Sequence, residues 1–83
     1  METKYKNLLD SIMDRFTENI TSFKITSIAL IKMMFESGDC EGELQFYSRI
    51  VEAIVNEDKN ISYEEKEQFV AMHEALIKVY NNQ

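Results

Sequence analysis

No proline occurs in this chain of 83 residues, and only two glycines do, Gly38 and Gly42. Proline breaks helices and marks loops, and glycine marks tight turns. A chain with so few of either has little loop to spend and is predicted to be helical nearly throughout.

The periodicity agrees. Tyr5, Leu8, Leu9, Ile12, Met13, Phe16 and Ile20 recur at three- and four-residue steps, one apolar face of an amphipathic helix. Thr3 is its expected N-cap. Asp10, Asp14 and Glu18 fall opposite and are expected to form a solvated stripe. Over residues 17–27 the helix signal weakens. Thr17, Asn19, Thr21, Ser22, Thr26 and Ser27 offer side-chain hydrogen bonds that compete with the helical ladder. A break near Asn19–Ser22 is predicted. The alternatives are one continuous helix from Thr3 to Glu36, giving three helices, or a short strand at Thr21–Ile25.

The next segment, Phe23 to Ser37, has apolar residues pointing in nearly every direction around a helix. A helix apolar all round is buried all round. Three other helices in so small a chain cover only part of it, so an external apolar interface is expected here. Leu30, Met33, Met34 and Phe35 are its expected contact residues, since methionine adapts to varied partners. Gly38 follows as the helix stop, where glycine accepts a positive φ without penalty.

Asp39 is the expected cap of the third helix, whose core stripe is Leu44, Tyr47, Ile50, Val51, Ile54 and Val55. Residues 56–60 are polar and read as a loop. Ser62 and Glu65 have the spacing of a capping box at the start of a fourth helix. Phe69, Val70, His73, Leu76, Ile77 and Tyr80 are its core face. The fold predicted is an all-α four-helix bundle in a single domain over 1–83, with helices near 3–19, 22–37, 40–56 and 62–80. Short connections make sequential helices antiparallel neighbours.

The composition narrows the chemistry. One cysteine and one histidine exclude an intrachain disulfide framework and a zinc finger. The longest apolar-rich run, Ile25 to Phe35, is broken by Lys32 and is far short of the roughly twenty residues a membrane span needs. A soluble, cytoplasmic protein without a membrane role is expected. The net charge is −6, and it is uneven. Residues 1–35 hold five basic and four acidic side chains, net +1, whereas residues 36–83 hold four and eleven, net −7. An acidic surface repels phosphate backbones, so direct nucleic-acid binding is disfavoured.

Few groups remain for catalysis or metal binding. Cys40 is ringed in sequence by Glu36, Asp39, Glu41 and Glu43, which oppose a thiolate. His73 has Phe69 and Ile77 four residues away on its helix and no carboxylate or metal partner at that spacing, so a ring packed neutral or exposed at an interface is expected. Residues 56–65 carry several oxygen ligands, but a calcium loop in that register has Lys59 where glycine is required and Ile54 at its first ligand position. No catalytic residue, metal or cofactor is assigned. The expected function is that of a small acidic, non-enzymatic regulator, inhibitor or adaptor. It would bind a protein partner through an apolar helical face and assemble through its first two helices as a homodimer or an obligate heteromer. The alternative is an acidic mimic of nucleic acid that occupies a basic site on its target, with Glu64, Glu67 and Glu74 forming the docking face on helix four.

Overall fold

The computed structural model describes residues 2–38 and 41–83; of Glu41 only the backbone is described. Its four helices are α1 (Thr3–Glu18), α2 (Ile20–Ser37), α3 (Glu41–Val55) and α4 (Tyr63–Asn81). Among the described residues there is no strand, so the strand alternative at Thr21–Ile25 does not hold. Among the described residues no helix is long and apolar enough to cross a membrane.

The break between α1 and α2 is a single residue. Asn19, at φ −118° and ψ 52°, closes one helix and opens the next. Its N–H bonds the Arg15 carbonyl at 3.2 Å, and its own carbonyl takes the Phe23 N–H at 2.9 Å. Seven residues of straight helix would separate Phe16 from Phe23 by about 10 Å along the axis. Their rings instead stack at 4.7 Å between centroids, so the bend at Asn19 brings the two helices' core faces together. Thr17 marks the same competition for backbone groups, its hydroxyl donating to the Asp14 carbonyl at 2.8 Å. The start of α1 differs from expectation. Glu2 occupies the N-cap position without a side-chain bond, and Thr3 is already helical.

Two helix ends are built by backbone geometry. Gly38, at φ 72°, ends α2 in the left-handed region and returns its N–H to the Met34 carbonyl. The end of α3 is a Schellman motif. The Asp58 N–H reaches the Ala53 carbonyl at 2.8 Å and the Glu57 N–H reaches that of Ile54 at 3.1 Å. Glu57 takes the left-handed position, φ 57°, that glycine more often fills. The start of α4 is the capping box expected. Ser62 Oγ accepts from the Glu65 N–H at 3.1 Å, and Glu65 Oε1 accepts from the Ser62 N–H at 3.0 Å. The expected Asp39 cap of α3 and the Cys40 side chain lie outside the described residues.

The core is formed by Leu9, Phe23, Leu30, Met34, Tyr47, Ile50, Ile54, Phe69 and Val70, with Ser27 and His73 among them. α2 packs chiefly on α3, and α1 chiefly on α4. A polar tie backs the second pairing. Asp10 accepts from the Tyr63 hydroxyl at 2.9 Å and from the Lys66 ammonium at 3.0 Å. Asp10 was expected in a solvated stripe; α4 passes close enough to claim it. Those two donors, Lys66 foremost, hold its carboxyl below the usual carboxylate range. Two residues of the expected α1 core stripe, Tyr5 and Leu8, are exposed. Leu8 sits about 100° around the helix from Leu9, at the edge of the stripe, and Tyr5 belongs to the first turn. Tyr80, expected in the core of α4, is exposed in the last turn.

Candidate functional site

The outward face of α2 carries the strongest surface feature. Phe23, Ser27, Leu30 and Met34 recur at steps of four, three and four and are buried. The helix turns its other side to solvent, and that side is also apolar. Ile25 and Ile28 are each 66% exposed and Phe35 is 74% exposed, the most open large apolar side chain among the described residues. Ile25, Ile28, Lys32 and Phe35 form one stripe at steps of three, four and three. Lys24 and Lys32, both exposed, are its charged members. Alongside the stripe, Ala29 and Met33 join Leu76, Val79 and Tyr80 of α4 in an open groove of about 740 Å³.

The expected contact residues separate on this helix. Leu30 and Met34 are 1% and 4% exposed and belong to the core, Met34 also bordering the groove from beneath. Phe35 is exposed and Met33 is half-buried on the groove wall. Sequence reasoning took the Met33–Phe35 run as one patch, but at 100° per residue its three members point to different sides. The residues it missed, Ile25 and Ile28, carried a signal of their own, since they fall opposite Phe23, Ser27, Leu30 and Met34.

The acidic residues of α4 stand where expected. Glu64, Glu67 and Glu74 are exposed, with Ala71 exposed between them. Glu67 is engaged within the bundle as well. Its carboxylate lies beside the Tyr5 hydroxyl and raises that phenol above its usual pKa. Glu65, in the capping box, also pairs with Arg49 of α3.

Chemistry-bearing groups are gathered in the core rather than in a cleft. The Tyr47 hydroxyl and His73 Nδ1 are 2.7 Å apart. Burial disfavours both charged forms, lowering the imidazole and pushing the phenol up to about 12. A neutral phenol is a better donor than acceptor, so Tyr47 donates to Nδ1 and the ring proton of His73 sits on Nε2. Phe16, Phe23 and Phe69 surround the imidazole at centroid distances of 5.1, 5.7 and 5.6 Å. Ser27, fully buried, stands near enough to draw the Tyr47 phenol slightly down. Its Oγ nevertheless has no hydrogen bond of ordinary geometry. A second cleft, of about 390 Å³, lies where α1 meets the loop after α3; Met13, Ile54 and Ile61 floor it and Asp14, Glu57 and Asp58 rim it. Among the described residues no three His, Cys, Asp or Glu side chains converge as a metal site requires.

Comparison with protein families, with curated proteins and with solved structures finds no match to this chain.

Proposed function

We propose that this protein is a small non-enzymatic regulator or adaptor that binds another protein through the outward face of α2. The observation that carries the reading is the exposed stripe of Ile25, Ile28 and Phe35 on a helix whose opposite face already fills the core. Scattered apolar residues on a surface are ordinary, but an aligned stripe continuous with a groove whose apolar wall is rimmed by Lys32, Glu36 and Gln83 is the form of a helix-docking surface. Burying three such side chains supplies binding energy without disturbing the bundle, because none of them holds it together.

The test is capture from the native host with the intact chain as bait, beside an Ile25→Asp/Ile28→Asp/Phe35→Asp variant. The reading expects a protein recovered by the wild-type bait and lost with the triple variant, while circular dichroism of the variant stays unchanged. Equal recovery by both baits contradicts it.

A second reading has its own observation. Glu64, Glu67 and Glu74 share one exposed side of α4, the arrangement suited to a basic partner and to mimicry of a phosphate array. A Glu64→Gln/Glu67→Gln/Glu74→Gln variant separates the two. It slows association in low salt if the acidic face docks, and leaves the rate unchanged if α2 does.

A further inference from the structure

We infer that the occupant of the α2 stripe is an amphipathic helix of another protein whose apolar face is flanked by carboxylates. The inference rests on the reading of α2 as the docking face and adds the chemistry of the partner. Its ground is charge. In a chain of net charge −6, the stripe is a locally basic strip. Lys32 stands within it between Ile28 and Phe35, and Lys24 stands beside Ile25. Neither lysine pairs with a carboxylate among the described residues. Against them the exposed face sets one acidic residue, Glu36, at its far end. With Lys32 offset only in part by Glu36 one turn further on and Lys24 unpaired, the strip keeps a positive charge beside three exposed apolar side chains, and it complements a helix that presents leucine-like residues with glutamate or aspartate at its flanks.

The same charges discriminate against other occupants. A second copy pairing antiparallel through a twofold axis near residue 30 sets Lys24 of each copy opposite Glu36 of the other but gathers both Lys32 side chains at its centre, so its charges match less well than those of a carboxylate-flanked helix. An anionic bilayer would attract the two lysines but faces an acidic chain overall. The partner helix has neither defect.

The probe is a labelled synthetic peptide of about eighteen residues, five helical turns, with a leucine stripe flanked by glutamates. Its control is the same peptide with lysine at every glutamate. Binding to the full chain is followed by fluorescence anisotropy at low and at moderate salt. The inference expects the glutamate peptide to bind at least ten times more tightly than the lysine peptide, with the gap narrowing as salt rises. It expects a Lys24→Glu/Lys32→Glu variant to reverse the preference while keeping the wild-type melting temperature. Equal binding of the two peptides, binding of neither, or a preference untouched by the charge reversal overturns it. So does sedimentation showing a wild-type dimer that Ile28→Asp dissociates, or cosedimentation with phosphatidylserine vesicles in place of peptide binding. Host-protein capture that depends on Ile25, Ile28 and Phe35 but not on the two lysines would overturn this inference alone and leave α2 as the docking face.

Discussion

Ser27, Tyr47 and His73 show how a small core tolerates polar groups. Tyr47 and His73 satisfy each other at 2.7 Å, and both are held neutral by burial. Ser27 Oγ is buried beside the Tyr47 hydroxyl without a hydrogen bond of ordinary geometry. A hydroxyl in that state recovers little of its desolvation cost, and serine is also a poorer helix former than alanine. Ser27→Ala is therefore expected to raise the unfolding free energy by about 0.5–1 kcal/mol in urea melts. His73 makes stability depend on pH. Its folded pKa lies below the ordinary 6.5, with burial the main cause and Glu74 opposing it. The unfolded chain thus takes up the proton first. The contribution is complete above 6.5 and is lost as pH falls from 6.5 through the folded value. Urea midpoints should drop over that window in the wild type and stay flatter in His73→Phe. His73 itself was legible in the sequence as a packed neutral or interfacial ring, because its helical neighbours are apolar. Its bond to Tyr47 was not, since nothing local ties residue 73 to a residue on another helix.

Helix ends divide in the same way. The Ser62–Glu65 capping box and the Gly38 stop were legible because the residue types are specific to the geometry. The end of α3 was not. Its Schellman turn puts Glu57 in the left-handed region, and no glycine announces it. A side chain there is strained against its own backbone, by about 1 kcal/mol. Glu57→Gly should accordingly stabilise the protein by up to about 1 kcal/mol, read from the urea midpoint, after some offset from glycine's greater unfolded-state entropy. At α2 the sequence showed that apolar residues point everywhere, but not which of them the bundle would cover. That choice depends on where α1, α3 and α4 pack. It sent Leu30 and Met34 inward and left Ile25, Ile28 and Phe35 outside. A glutamate at Leu30 or Met34 would therefore unfold the chain rather than expose an interface.

At the scale of the whole molecule, the order and type of the helices followed from periodicity and the near absence of turn residues. That α2 packs on α3 was expected from their short connection, whereas the pairing of α1 with α4 required the structure. The tie of Asp10 to Tyr63 and Lys66 is part of that pairing and links residues more than fifty apart in sequence. The bundle presents two distinct surfaces, a carboxylate side on α4 and the apolar, lysine-edged side of α2. The central claim is that α2 has two separable faces, one that holds the fold and one free to bind. Urea unfolding of two variants tests it most directly. Leu30→Ala should lose about 2–5 kcal/mol, the usual cost of a cavity in a packed core. Ile28→Ser should stay within about 0.5 kcal/mol of the wild type, as a surface substitution does. A loss at Ile28→Ser comparable to that at Leu30→Ala would contradict the claim, because it would mean that the outward face of α2 is already buried in the folded protein.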